Sequence, residues 1–187
     1  QRQMCIRDRA RDTHKDKKID KKQKILNKKH NFYSKRPKER YFMKQLMNMQ
    51  IIGIDHGYGN LKTASGIFPA SILTFDHEPA YAQDLLVYDG KYHVIGSGHR
   101  EFTPDKVSNP DHYVLTLAGI GQELWKNRMT KARVYIAAGL PLTWVESQRE
   151  SFRAYLLQND HVDFIWRGIE YHIDIAVSYT HLTLPTT

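Results

Sequence analysis

From residue 49 onward, the sequence begins with short apolar runs that have the length of β-strands. The run 50–55 is apolar and closes on an acid, which predicts a buried strand with a polar C-terminal end. Residues 61–66 and 67–73 predict a second strand and an extended segment that Pro69 interrupts. Two glycines lie between the first two runs, so we expect a tight turn there.

Two β-hairpins are predicted where a short glycine-containing turn separates two apolar runs. The turns contain Asp-Gly at Gly90 and Arg-Gly at Gly168. The flanking runs are 85–88 with 92–95, and 162–166 with 169–177. Dipeptides of this kind between apolar runs are typical of two-stranded antiparallel hairpins.

A helical period replaces the strand pattern at residues 111–129. Apolar residues recur there every three or four positions, and Asn109 or Asp111 is the expected N-cap. Gly119 and Gly121 weaken the helix but would allow it to pack closely on a sheet.

The run 132–138 predicts a further buried strand, which ends in a Gly-Leu-Pro-Leu turn. A second amphipathic helix follows, with Thr143 as its N-cap and Glu146 completing a capping box. The order combines antiparallel pairs with strand–helix–strand crossovers. This order implies an α/β layered domain with a mixed sheet.

Charge divides the chain of 187 residues into a basic first quarter and a mildly acidic remainder. Residues 1–48 hold 17 Lys and Arg against 5 Asp and Glu, whereas the rest holds 11 against 15. Few apolar residues and no period in 1–48 predict a disordered or non-native leader. Residues 178–187 carry no charge, and we expect a non-native tail there. The predicted domain therefore spans 49–177.

Several classes of protein are excluded by composition. A single cysteine excludes an internal disulfide framework and a Cys-based metal cluster, and it fits a reducing compartment. No apolar run approaches the roughly 20 residues that span a bilayer. No secretion signal opens the chain. We therefore expect a cytoplasmic protein with no membrane partner.

Candidate chemistry concentrates in residues 51–62. Asp55 ends the first strand, Gly57 and Gly59 lie in the turn, and Lys62 begins the next strand. A nucleoside triphosphate needs backbone N–H groups, which glycines make accessible, and a cation on its phosphate chain. It also needs a carboxylate near Mg²⁺. These requirements meet on one strand–turn–strand unit.

The spacing D-x-G-x-G-N-x-K is neither a Walker A loop nor a Rossmann fingerprint. It resembles the first phosphate loop of the actin, Hsp70 and sugar-kinase superfamily. The flanking segments IIGIDHGYGNLKT, IFPASI and AAGLPL are most similar to the ParM/StbA group of actin-like plasmid-segregation ATPases. The resemblance covers residues 49–177 and implies an RNase H-like, actin-like mixed sheet with helices, truncated to the N-terminal subdomain.

The resemblance also implies roles for the residues of the turn. Asp55 would lie near Mg²⁺ and its waters, and Lys62 would contact the phosphates of ATP. Asn60 would steady the turn. The backbone that faces the β- and γ-phosphates would come from Gly57, Tyr58 and Gly59.

ATP hydrolysis, self-assembly into a filament and an indirect link to plasmid DNA through an adaptor protein are further implications of the resemblance. No catalytic residue is assigned within the chain, because the elements that would carry it lie beyond Val177 in such proteins. We therefore expect this fragment to bind ATP weakly and to hydrolyse it negligibly.

Other functions remain open at this point. A small-molecule kinase of the same superfamily would use the same loop, and a nucleic-acid-binding module would use the basic residues 1–48. An ordinary glycine β-turn with solvated charges at 55 and 62 is the plain structural alternative.

The ten histidines show no metal-binding pair and are expected to be solvated or locally hydrogen-bonded, with His56 the one to watch. The tryptophans are expected to pack in the core or at an interface.

Overall fold

The computed structural model describes residues 43–57, 59–98, 110–141 and 145–183. Most of the predicted leader lies outside the described residues. Tyr58 in the turn, Asn109 and the predicted cap Thr143 also lie outside them.

Ten strands and two helices make up the described part of the chain. The helices are α1 (Asp111–Lys126) and α2 (Val145–Leu156). The strands are β1 (Gln45–Leu46), β2 (Met49–His56), β3 (Asn60–Thr63), β4 (Ile67–Pro69), β5 (Ile72–Phe75), β6 (Leu85–Tyr88), β7 (Lys91–Ile95), β8 (Lys131–Pro141), β9 (His161–Trp166) and β10 (Ile169–Thr183).

One mixed sheet contains all ten strands, in the order β4-β3-β2-β8-β10-β9-β6-β7-β5, with β1 paired to β2. The pairs β2–β8 and β8–β10 are parallel, and the other pairs are antiparallel. Helices α1 and α2 lie on the connections between the parallel strands. The prediction of an α/β domain with a mixed sheet is therefore confirmed.

Both predicted hairpin turns have the expected backbone. Asp89 and Gly90 have φ of 50° and 71°, and Arg167 and Gly168 have φ of 51° and 72°. Positive φ at both central residues is the type I′ geometry that matches the twist of paired strands. A third such turn, at Met47-Asn48, was not predicted. It pairs β1 with β2, and β1 and the turn itself lie in the stretch assigned to the leader.

The core lies on one face of the sheet, beneath the two helices. Every residue of α1 from 112 to 124 is buried. The helix contacts β2 and β3 near one end of the strand order and β6, β7 and β9 near the other, so the sheet must curve around it. Helix α2 packs on β8 and β10.

Two glycines allow α1 to lie close to the strands, as the sequence predicted. A Cβ at Gly119 would stand 3.2 Å from Leu61 Cδ2, and one at Gly121 would stand 2.8 Å from Trp166 Cγ. The second distance is shorter than a side chain tolerates, so glycine is required there. Trp166 is fully buried, which confirms its predicted place in the core.

The start of α1 corrects the predicted cap. Pro110 is the N-cap, no side chain caps the helix by a hydrogen bond, and Asp111 is the first helical residue. Proline presets the backbone angle that the first turn requires, and an acid in that turn interacts favourably with the helix dipole. No helix in the described part is long and apolar enough to span a membrane.

Candidate functional site

Asp55 and Lys62 meet on the face of the sheet opposite the helices. They are register partners in the β2–β3 hairpin, and the Oδ2–Nζ distance is 4.0 Å. Their side chains are 49% and 55% exposed. An exposed pair at this distance contributes little to stability, so both charges remain accessible to a ligand.

The turn that joins these strands contains the remaining predicted site residues. A Cβ at Gly57 would stand 2.7 Å from the carbonyl oxygen of Asn60, so only glycine fits that position. A Cβ at Gly59 would meet nothing within 4 Å, because this part of the turn faces open space. The Gly59 carbonyl accepts a hydrogen bond of 3.0 Å from the amide of Ala70, which ties the turn to the residue after β4.

The hairpin lies at the edge where the parallel strands end. Ile54 of β2 pairs with Ala138 of β8, so Asp55 is level with Gly139. The predicted turn at 139–142 is wrong in its first part, because β8 continues to Pro141 with β10 as its partner as far as Thr183. Carboxyl ends of parallel strands are the usual place for ligands in α/β sheets.

His56 points to the helix face, because successive strand residues face opposite sides. It is 3% exposed, and its Nε2 lies 2.8 Å from Thr116 Oγ1 in α1. The prediction of a solvated or locally hydrogen-bonded side chain is therefore wrong for this residue. Its ring also contacts His112 and, edge-on at 5.7 Å, Phe152 of α2.

Sequence reasoning missed polar residues of α1 that hold the strands behind the turn. Glu123 is 2% exposed, and its Oε1 accepts hydrogen bonds of 2.8 Å and 2.7 Å from the amide and hydroxyl of Ser65. Ser65 lies between β3 and β4. These contacts could have been suspected from the sequence, because polar residues such as Thr116 and Gln122 lie inside an otherwise apolar helix.

A second polar region surrounds a cleft of about 380 Å³ between the β6–β7 hairpin and the helices. Asn159 donates to the hydroxyls of Tyr88 and Tyr113 at 3.1 Å and 3.4 Å. Burial raises the pKa of Tyr113 to about 12 and raises that of Tyr88. Burial also lowers the pKa of His93, despite the opposing charge of Asp111. These two tyrosines and the histidine are neutral near pH 7, and the charged residues that line the cleft are two acids, Asp89 and Asp111, and one cation, Lys91.

A cross-strand row of histidines and acids occupies the open face at β9 and β10. His161 Nδ1 lies 2.8 Å from Asp174 Oδ1, and His172 Nδ1 lies 2.7 Å from Asp163 Oδ1. The hydrogen bond to Asp174 raises the pKa of His161. Among the described residues, no group of three or more His, Cys, Asp and Glu could hold a metal ion.

Comparison with known proteins assigns the fold to a family. A family model of the N-terminal domain of actin-like proteins matches residues 53–180, which is more than half of the chain. A comparison with curated protein sequences gives no match.

Solved structures of similar fold include ParM and AlfA proteins and an archaeal actin homologue. An apo ParM of pSK41 is 14% identical, with a TM-score of 0.56 over 73% of this chain and 50% of that one. The archaeal actin homologue Ta0583 is 19% identical, with a TM-score of 0.56 over 71% and 45%. An AlfA filament bound to AMPPNP is 11% identical, with a TM-score of 0.53 over 72% and 54%.

The chain thus spans about half the length of the structures that it matches. At these identities the likeness shows the fold alone, and the family match over residues 53–180 shows the relationship. The predicted resemblance to ParM-type actin-like proteins is confirmed at the level of family and fold. The chain belongs to the actin-like proteins and carries the fold of their N-terminal domain.

Proposed function

We propose that this chain supplies the nucleotide-binding N-terminal part of an actin-like ATPase whose filaments segregate plasmid DNA in the cytoplasm. One observation carries the proposal: Asp55 and Lys62 face each other at 4.0 Å beside a turn where glycine is required. A carboxylate, an ammonium group and accessible backbone are what Mg-ATP needs at one end of its phosphate chain.

Each residue of the hairpin has a proposed role. The Lys62 ammonium binds the phosphates, and Asn60 steadies the turn. Asp55 orients the water shell of Mg²⁺. Backbone N–H groups for the β- and γ-phosphates come from the three residues of the turn, Gly57, Tyr58 and Gly59.

The donor set fits Mg²⁺ held mainly by the nucleotide. The described residues offer one carboxylate at the hairpin and no cluster of protein ligands. Mg²⁺ keeps several waters and binds through one or two carboxylates together with substrate phosphates, which matches a single acid at this position. When bound, the ion would neutralise charge on the phosphate oxygens.

Binding by this chain is expected to be weak. The hairpin contacts only the phosphate end of a nucleotide, and the chain spans about half the length of related structures. We assign no catalytic residue to it and place hydrolysis, filament formation and the adaptor link to DNA in the full-length protein. An AlfA filament bound to AMPPNP supports both nucleotide binding and self-assembly as properties of the family.

Titration with Mg-ATP, followed by the amide NMR signals of Gly57, Gly59 and Asn60, tests the site. Lys62→Ala should weaken binding about tenfold, because a charge-assisted contact to phosphate is lost. Asp55→Ala should reduce the dependence of the affinity on Mg²⁺, because the carboxylate that orients its waters is lost. Lys131→Ala and Glu170→Ala remove exposed charges elsewhere and serve as matched controls.

The proposal fails if millimolar Mg-ATP leaves these amide signals in place, or if Lys62→Ala and Lys131→Ala bind equally well. Sedimentation of the full-length protein after addition of Mg-ATP then tests filament formation. Phosphate transfer to a small acceptor without sedimentation would instead indicate a small-molecule kinase. Salt-sensitive DNA binding that disappears on deletion of residues 1–48 would indicate the nucleic-acid-binding alternative.

A further inference from the structure

One side of α1 holds the β2–β3–β4 unit at three successive points. The helix residues Thr116, Gly119 and Glu123 are spaced three and four apart, so they share one side of the helix. Their partners are, in the same order, His56 at the end of β2, Leu61 in β3 and Ser65 after β3. The candidate phosphate turn is therefore fixed to α1 on both of its sides.

The contact nearest to the turn is a hydrogen bond with a defined direction. The Thr116 hydroxyl donates to the carbonyl oxygen of His112 at 2.7 Å, so its proton is engaged. Its Oγ1 also lies 2.8 Å from His56 Nε2. Because the carbonyl can only accept and the hydroxyl has a single proton, both contacts are hydrogen bonds at once only when His56 carries its proton on Nε2, and we assign that tautomer.

Position in the chain links this bond to the site. His56 is the last residue of β2, directly between Asp55 and Gly57. Phe152 of α2 packs edge-on against its ring at 5.7 Å, so both helices contact the residue that begins the turn. A shift of His56 would move the carboxylate on one side and the turn backbone on the other.

We propose that His56 is a positioning residue for the phosphate turn and acts through its Nε2–H hydrogen bond to Thr116. The bond fixes the distance between the end of β2 and α1, and with it the position at which the turn begins. Convergent, pre-ordered donors bind a polyphosphate better than mobile ones. The effect on phosphate binding rests on the proposed function, whereas the order of the turn does not.

The matched test compares two threonine-to-valine variants. Thr116→Val removes the acceptor of His56. Thr74→Val removes the hydroxyl that is hydrogen-bonded at 3.0 Å to His93, a buried histidine elsewhere in the fold. Without nucleotide, amide exchange at Gly57 and Asn60 should become about three- to tenfold faster in Thr116→Val and stay unchanged in Thr74→Val.

The affinity for Mg-ATP should fall by a similar factor, about three- to tenfold, in Thr116→Val only. If wild-type protein binds no Mg-ATP but exchange at the turn still depends on Thr116, the proposed function fails and the positioning role stands. If the two valine variants behave alike in exchange and in affinity, the positioning role is overturned.

Variants of the histidine keep the test decisive if Thr116→Val does not fold. His56→Gln retains an N–H at the position of Nε2 and should keep the order of the turn close to that of wild type. His56→Asn places a nitrogen only at the position of Nδ1, so the hydrogen bond to Thr116 and the order of the turn should both be lost. Equal exchange in these two variants, or an imidazole ¹⁵N spectrum that shows no proton on Nε2 in the wild-type protein, would overturn the proposal.

Discussion

The two faces of the sheet pair their polar side chains in different ways, and the adjacent residues Asp55 and His56 lie on opposite faces. On the helix face, polar side chains are buried and reach partners far away in sequence, as His56 does with Thr116. On the open face, charges such as Asp55 and Asp174 are about half exposed and pair across neighbouring strands. Buried contacts on the helix face therefore determine stability, whereas the open face carries the candidate chemistry.

The largest difference between the two faces is expected when the same glycine-to-alanine substitution is made on each of them. Gly121→Ala should destabilise the protein by about 1–3 kcal/mol, because its Cβ would stand 2.8 Å from the buried Trp166. Gly53→Ala lies in β2 on the open face, where a Cβ meets nothing within 4 Å. Its effect should stay within about 0.5 kcal/mol. Urea unfolding of both variants measures the difference, and equal midpoints would contradict the division.

An effect of similar size is expected from removing a buried carboxylate, and a much smaller one from removing an exposed carboxylate. Glu123→Ala leaves the partly buried amide and hydroxyl of Ser65 without their acceptor and should cost about 1–3 kcal/mol. Glu170→Ala removes an exposed acid from β10 and should cost less than about 0.5 kcal/mol.

Glu123→Gln separates the hydrogen bonds from the charge in this experiment. The amide oxygen can still accept from Ser65, so most of the stability should return, as measured by thermal unfolding. A Gln variant as unstable as the Ala variant would show that the charge of Glu123, rather than its acceptor oxygen, stabilises the turn.

Local patterns predicted the elements well, because strand alternation and turn chemistry are properties of neighbouring residues. The type I′ turns at Gly90 and Gly168 follow from such patterns. The hairpin at Met47-Asn48 was missed, because charge, rather than turn chemistry, decided the assignment of that stretch.

Contacts between distant segments could not be predicted. Ser65 and Glu123 are 58 positions apart, and nothing in either segment identifies the other as its partner. The same holds for His56, whose burial depends on two helices more than fifty residues away. The hairpin of the candidate site could be predicted from the sequence, because Asp55, the glycines and Lys62 are close together in the chain. The side of α1 that supports this hairpin could not be predicted.

The smallest expected effects concern two histidines, one from each environment. Burial lowers the pKa of His93 below its ordinary value of 6.5, so the unfolded chain takes up a proton more readily than the folded one. The stability that this residue contributes is present above about pH 6.5 and is lost as the pH falls below it. The hydrogen bond to Asp174 raises the pKa of the exposed His161, so its contribution is present below about pH 6.5 and is lost as the pH rises through the raised value.

The two histidines should therefore give pH profiles of opposite sign. His93→Gln should reduce the loss of stability between about pH 6.5 and 5, whereas His161→Gln should reduce a much smaller loss above about pH 6.5. Salt should weaken the second effect and leave the first, because screening acts mainly on exposed charges. Urea midpoints across this range, with imidazole NMR titrations of both residues, measure the signs. Profiles of the same sign would show that the environments of these two histidines do not differ as their burial indicates.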